Sequence, residues 1–149
     1  MKKNGNRNMM QSKPKKDSFV TVSGVRYYHS EVFLVVDTFY KSVSTHPSLK
    51  VPFKSVYDWP EHIERMTQFW WIRFGGRPYM FSQYNPVLKH YYAGFNKKYL
   101  SEWLELFHQT LDIKLTTKQA SMWKNLSKQM GIGLLARNEM IRAQKSECL

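Results

Sequence analysis

The sequence contains a single cysteine, Cys148, and it lacks any long apolar run. One cysteine cannot form an internal disulfide, and a lone thiol beside the C-terminus is a poor candidate for a structural metal ligand. A reducing cytoplasm is therefore the expected location. Because no apolar run reaches about 18 residues, we expect no transmembrane helix. The first six residues are basic but have no apolar stretch behind them, which argues against a secretory signal.

Acidic residues are also few: the chain has 11 aspartates and glutamates but 23 lysines and arginines, which gives a formal net charge of +12. Such a charge raises the question of nucleic acid or an anionic membrane surface as a partner. Residues 1–17 hold six of the basic residues and one acidic residue. Much of the excess therefore belongs to a polar tail, residues 1–18, which we expect to be disordered. This distribution disfavours nucleic acid as the partner.

Apolar residues make up 42% of the chain, enough for one core in a single domain that we place at residues 19–146. They recur at helical spacing in four segments, which predicts an all-α fold with four main helices and no sheet. The predicted helices are residues 31–45, about 58–74, about 97–111, and a last helix that begins near residue 117.

Turn and cap residues set the expected ends of these helices. Ser30 is the expected N-cap of the first helix, and Thr116 or Thr117 caps the last one. The loop over residues 75–89 is rich in glycine and proline, and a loop of this length in a small domain is typical of a functional region. A short helical turn is expected at residues 89–92. Residues 20–28 alternate only weakly and predict a short extended or irregular lead into the first helix.

Five histidines are the candidates for binding a metal or cofactor. His29 and His46 flank helix ends, and His108 lies off the apolar stripe of its helix, so all three are expected to be exposed. His62 is the one polar residue on an apolar helix face, and His90 follows the glycine-rich loop. A histidine on an apolar face is more often a core residue than a ligand. No zinc spacing, Ser-His-Asp grouping, Walker loop or dinucleotide glycine pattern is present.

A series of short motifs runs in order through about residues 30–140. In chain order they are Phe39-Tyr40, Pro47, Leu49, Pro52-Phe53, Trp59, His62, Phe69-Trp70, Pro86-Val87-Leu88-Lys89-His90, Glu102-Trp103-Leu104-Glu105-Leu106-Phe107 and Thr110-Leu111. Their order and spacing resemble group III of the truncated haemoglobins. The chain departs from that pattern in its longer N-terminal tail, its slightly extended loop at residues 75–85, and two glycines, Gly131 and Gly133, in the last helix.

The resemblance implies a globin-like, two-over-two helical sandwich around haem b, with a reduced first helix and little helix before the iron-binding histidine. His90 matches the proximal iron ligand. Tyr40, His62 and Trp103 match the polar residues of the distal, ligand-binding side. The resemblance also implies a set of residues that contact the cofactor: Phe53, Met66, Phe69 and Trp70, with Lys89 and Arg77 as candidate partners of the haem propionates.

The three distal residues could each donate a hydrogen bond to an iron ligand that carries partial negative charge. One such bond is worth about 1.5–3 kcal/mol and slows ligand release roughly ten- to a hundredfold. Two or more would hold oxygen too tightly for transport. We therefore expect O2, NO or CO binding in oxygen or nitric oxide chemistry, or in sensing, rather than transport. NO-dioxygenase-like or weak peroxidase-like activity would need an external reductase.

Two questions stay open at the level of sequence. His62 could bind the iron directly when no ligand is present, instead of hydrogen-bonding a ligand. The alternative function is a haem-free basic helical module that binds nucleic acid or another anionic partner, and strongly salt-dependent binding without pigment would favour it.

Overall fold

The computed structural model describes residues 12–82 and 85–147. Residues 1–11 of the expected tail, and Cys148, lie outside the described residues. The elements in chain order are β1 (Phe19–Val22), β2 (Val25–Tyr28), α1 (His29–Thr45), α2 (Trp59–Arg73), α3 (Pro86–Tyr92), α4 (Lys97–Lys114) and α5 (Thr117–Glu147). The predominance of helix agrees with the prediction.

A two-stranded antiparallel hairpin precedes the helices, so the prediction of no sheet is wrong. Val22 pairs with Val25 across a two-residue turn. Both turn residues, Ser23 (φ 49°) and Gly24 (φ 79°), have positive φ angles, as a type I′ turn requires. Along β2 the side chains of Val25 and Tyr27 are buried. Each strand has only four residues, which is too short to show a convincing alternation in the sequence.

The hairpin leads directly into α1, which begins at His29. The backbone N–H of Tyr28 donates to the Glu31 carboxylate at 2.9 Å, so Tyr28 is the N-cap and Ser30 is a helical residue. The predicted Ser30 cap is therefore wrong, because the second strand ends at the residue before the helix. The predicted apolar face of α1 is confirmed, since all six of its members are buried: Val32, Val35, Val36, Phe39, Tyr40 and Val43.

Capping residues begin the other long helices near the predicted positions. Asp58 accepts the N–H of Glu61 at 3.0 Å at the start of α2. Thr116 and Gln119 form a reciprocal capping box before α5, with N–H to side-chain distances of 3.2 and 3.1 Å. The prediction of a threonine cap is confirmed at Thr116, and α5 runs through Gly131 and Gly133 without a break.

The helices form two packed pairs. α1 packs against α2, α4 packs against α5, and contact between α1 and α4 joins the two pairs. α3 lies against α5. Trp123 of α5 is fully buried at the centre, with Phe74 at 4.8 Å and Trp70 at 5.4 Å between ring centroids. This arrangement is the predicted two-over-two sandwich. Among the helices of residues 12–82 and 85–147, none has an apolar stretch that could span a membrane.

Candidate functional site

His90 lies on the short helix α3, which begins three residues before the predicted turn at Lys89. Asn85 accepts the N–H of Leu88 at 3.1 Å, and Pro86 occupies the first turn, where its missing N–H does no harm. These two residues explain the earlier start. Only four helical residues precede His90, in keeping with the expectation of little helix there.

The imidazole of His90 is oriented by the backbone of its own helix. Its Nδ1 lies 2.5 Å from the carbonyl oxygen of Pro86. Because a carbonyl can only accept, Nδ1 carries the proton and Nε2 carries the lone pair. Burial lowers the pKa of His90, and the Pro86 carbonyl opposes this effect. The residue is therefore a neutral imidazole whose Nε2 lone pair suits a metal.

Phe95 and Asn138 support the histidine from the α5 side. The ring of Phe95 lies edge-on to the ring of His90, with centroids 5.2 Å apart. The backbone N–H of Phe95 donates a hydrogen bond to the backbone carbonyl of His90 at 2.9 Å. The carbonyl of Phe95 in turn accepts a hydrogen bond from buried Asn138 Nδ2 at 2.8 Å. The position of α3 is thus tied to the long helix α5.

Three aromatic rings from α1, α2 and the connection between them surround His62. Its ring centroid lies 4.8 Å from Tyr40, 5.7 Å from Trp59 and 6.0 Å from Phe53, and each ring meets it nearly edge-on. Phe53 is half-buried. Trp59 was not among the predicted site residues. Its spacing of three from His62 on one helix was the signal that could have found it.

The imidazole of His62 has an unusual electrostatic environment. Its Nε2 is buried and has no hydrogen-bond partner among the described residues. Burial, together with the charges of Arg65 and Lys89, lowers the pKa of His62 to about 4. A buried nitrogen without a hydrogen-bond partner lowers the stability of the fold unless a ligand or a water molecule supplies that partner.

Trp103 reaches the same region from α4. It stacks on Phe107 at 4.6 Å and meets Phe39 at 5.0 Å, and Phe39 contacts Tyr40 at 4.9 Å. The predicted distal residues Tyr40, His62 and Trp103 therefore come from three different helices and belong to one continuous cluster of rings.

The predicted cofactor-contacting residues fall into two groups. Met66 and Trp70 are buried, and the Trp70 ring stacks on Phe107 at 5.7 Å, so it also belongs to the core. Phe69 is half-buried and contacts the edge of Trp70. Lys89 and Arg77 are exposed. Arg77 lines a small cavity near the N-terminal end of the described chain, beside Ser12, Ser18 and Trp71.

The prediction that His29 is exposed is wrong, since only 3% of its surface is accessible. Its Nε2 lies 2.9 Å from the hydroxyl of Tyr79, and its ring meets Trp71 at 5.0 Å. The Oε1 of buried Gln68 accepts the N–H groups of Tyr79 and Met80 at 2.6 and 2.7 Å. These contacts anchor the loop between α2 and α3 to the rest of the fold.

His46 and His108 are half-buried, so the expectation that they are exposed is also wrong. His46 Nδ1 accepts the N–H groups of Ser48 and Leu49 at 3.1 and 3.0 Å, which stabilises the turn after α1. His108 lies 3.4 Å from Ser127 across the α4–α5 contact. Both histidines thus have structural partners.

The described residues fit a haem better than a metal ion bound by protein side chains alone. Within residues 12–82 and 85–147, no three His, Cys, Asp or Glu side chains come close enough to hold a metal ion. A structural zinc needs four protein ligands, whereas a haem iron can be held by a single histidine. The Nε2 lone pair of His90 would suit that role. The unpartnered Nε2 of His62 offers a polar contact, and the surrounding rings offer an apolar setting.

No protein-family model and no curated protein sequence matches the chain. A solved structure, described as group III truncated hemoglobin from Campylobacter jejuni, superposes with a TM-score of 0.67. The match covers 74% of this chain and 90% of that chain at 18% sequence identity. At this identity the likeness concerns the fold, and it agrees with the order and packing of the helices. The chain therefore has the all-α, globin-like fold of a group III truncated haemoglobin.

Proposed function

We propose that the chain is a haem-b globin that binds O2, NO and CO at a polar distal site. The observation that carries the proposal is the His90 side chain, whose Nδ1–H is held by the Pro86 carbonyl, so that the Nε2 lone pair is left for a metal. The fold supports the same interpretation. His90 would hold the haem, which when bound would supply an iron atom able to bind a diatomic gas. The proposed role is oxygen or nitric oxide chemistry, or sensing, in the cytoplasm.

On the proximal side, this chain's own residues set the state of the ligand histidine. The Pro86 carbonyl holds the proton on Nδ1 and makes Nε2 a better donor to a metal. The lowered pKa of His90 keeps the ring neutral near pH 7. Phe95 limits rotation of the ring from one side. Lys89 and Arg77 are the proposed cations for the haem propionates.

On the distal side, three groups could hydrogen-bond a bound gas. They are the hydroxyl of Tyr40, the indole N–H of Trp103 and the imidazole of His62. Since the pKa of His62 is about 4, that ring is neutral at pH 7 and one of its nitrogens is an acceptor. If Nε2 carries the proton, it donates to the gas; if not, its lone pair could bind the iron when no gas is present. Any NO-dioxygenase-like or peroxidase-like turnover would use an external reductase.

The test is the absorption spectrum of the purified protein, oxidised, reduced and reduced with CO. We expect a Soret band that shifts with CO and that is lost or strongly weakened in His90→Ala. His108→Ala is the matched control, because His108 is also half-buried but lies at the α4–α5 contact. Added imidazole should restore much of the spectrum of His90→Ala. A colourless protein that takes up no added haem would overturn the proposal.

A further inference from the structure

The surface around α3 carries lysines that have no acidic partner. Lys97 and Lys98 begin α4 directly after the turn in which the Phe95 N–H bonds to the His90 carbonyl. Lys145 of α5 places its Nζ 5.8 Å from the ring of Tyr91 on α3. All three lysines are exposed, and none takes part in an ion pair within the described part of the chain. We call Lys97, Lys98 and Lys145 the proximal basic face.

The charge of this face contrasts with the rest of the surface. Residues 86–101 contain three lysines and no acidic residue. Four of the chain's 11 acidic residues instead line a groove of about 750 Å³ between α1 and α2: Asp37, Asp58, Glu61 and Glu64. Three of them are paired with basic side chains, Asp37 with Lys41, Glu61 with Arg65 and Glu64 with Lys13. Positive and negative charges are therefore largely matched at the groove, whereas the lysines of the proximal basic face are not matched by carboxylates among the described residues.

The helix α3 itself also carries exposed apolar side chains, since Tyr92 is 72% exposed and Leu88 is 43% exposed. Large exposed apolar groups with charged groups around them are typical of protein–protein contact sites, where the apolar groups pack and the charges steer the approach. A surface built only for the phosphate backbone of nucleic acid would not need the apolar groups. The composition of the face thus favours a protein partner with an acidic surface.

We infer that the proximal basic face docks an acidic one-electron-transfer protein of the ferredoxin or flavodoxin type. The inference rests on the proposed function, because the electron would be used to reduce a ferric haem held by His90. In that step the reduced donor loses one electron and the iron gains it, with no bond made or broken between the proteins. His90 lies on α3, the helix beside these lysines, so a donor docked there would be on the His90 side of the haem.

The experiment compares two charge-reversal variants, one at the start of α4 and the other at the end of α4 and the start of α5. Lys97→Glu/Lys98→Glu changes the proximal basic face, and the control Lys114→Glu/Lys118→Glu changes net charge equally. Lys97 and Lys114 are 17 residues apart on the helix, or roughly 25 Å at 1.5 Å per residue. Acidic residues are favourable at a helix N-terminus, so the first variant should fold. Lys89 is left intact because of its proposed role at the propionates.

Stopped-flow reduction of the ferric haem protein by a reduced, acidic [2Fe–2S] ferredoxin gives the first readout. At low ionic strength we expect the rate to fall about tenfold or more in Lys97→Glu/Lys98→Glu and by less than about twofold in the control. The difference should disappear at an ionic strength of about 0.5 M, where the charges are screened. Equal effects in the two variants would overturn the inference.

Direct binding gives a readout that does not depend on the haem. Oxidised ferredoxin is titrated into wild-type protein, His90→Ala and the two charge variants, and the Kd is measured by calorimetry. We expect weaker binding only in Lys97→Glu/Lys98→Glu. A protein that takes up no haem but still shows this pattern would overturn the proposed function and support the docking face. Tight binding of a short DNA duplex that is lost in the same variant, without ferredoxin binding, would overturn the inference in favour of nucleic acid.

Discussion

The imidazole of His62 lies edge-on to the ring of Tyr40, with centroids 4.8 Å apart and planes at 89°. This relationship joins α1 to α2 and brings a neutral imidazole and a phenol together in an apolar setting. The His62 Nε2 has no hydrogen-bond partner among the described residues. A hydrogen bond from a ligand to this His62 nitrogen would therefore form in a buried, low-dielectric setting, where it is stronger than in water.

The buried imidazole of His62 should make the folded state sensitive to acid. Its pKa falls from 6.5 to about 4 on folding. Between these two pH values the imidazole is therefore protonated in the unfolded chain but neutral in the folded protein. The free energy of unfolding therefore falls as the pH drops below about 6.5, and this group has no effect well above it. Between pH 7 and pH 5 the His62 part of the loss should be about 2 kcal/mol.

Urea unfolding of the haem-free protein at pH 7 and pH 5 measures this effect, with His62→Gln as the comparison. Burial also lowers the pKa of His29 and of His90, so both proteins should lose some stability in acid. The informative quantity is the loss of stability of the wild type between pH 7 and pH 5 minus the loss of His62→Gln over the same range. Equal losses in wild type and His62→Gln would contradict the prediction.

Removal of one distal donor should speed the release of oxygen. Tyr40→Phe and Trp103→Phe each delete a hydrogen-bond donor while they keep the ring. If the donor contacts the bound gas, the O2 dissociation rate should rise roughly ten- to a hundredfold. The CO dissociation rate should change less, because bound CO carries less negative charge. Stopped-flow ligand replacement measures both rates.

Tyr57→Phe is the control, since Tyr57 is 96% exposed. A similar rise of the O2 dissociation rate in this variant would contradict a direct role for the distal donors.

The side chain of Gln68 should be the main anchor of the loop before α3. It accepts two backbone N–H groups, those of Tyr79 and Met80, at 2.6 and 2.7 Å, and it is only 4% exposed. Gln68→Leu leaves both donors unsatisfied, which should lower the free energy of unfolding by about 2–4 kcal/mol. Hydrogen exchange at the amides of Tyr79 and Met80 should accelerate more than exchange in the middle of α2. Exposed Gln129→Leu provides the control, and slow exchange at both amides in Gln68→Leu would rule out this anchor.

The long helices were predictable because their apolar residues repeat at helical spacing over three or more turns. The buried face of α1 follows from that spacing alone, since only one side of the helix can meet the core. The cap at Thr116 was readable for a similar reason, as its partner Gln119 lies three residues along the chain. Local chemistry of this kind does not depend on the rest of the fold.

The hairpin and the buried histidines depend on contacts that sequence spacing does not reveal. The only strong local signal for the hairpin was Ser23-Gly24, a dipeptide suited to a tight two-residue turn. His29 is buried because Tyr79, 50 positions later in the chain, supplies its hydrogen-bond partner. The same limit applies to the site. The motif order suggested that Tyr40 and His62 act together, but their contact geometry comes from the packing of α1 on α2.

The two glycines of α5 should respond in opposite ways to replacement by alanine. A Cβ at Gly133 would meet nothing within 4 Å, so Gly133→Ala should gain up to about 1 kcal/mol of stability from helix propensity. A Cβ at Gly131 would lie 2.5 Å from Cδ1 of Leu100, a buried residue of α4. Gly131→Ala should therefore gain little or lose stability, because Leu100 must move in a packed core.

Urea unfolding of the two variants tests this contrast. In a Leu100→Ala background the penalty should vanish and Gly131→Ala should behave like Gly133→Ala. Equal gains at the two positions in the wild-type background would mean that α4 and α5 do not approach each other closely at Gly131.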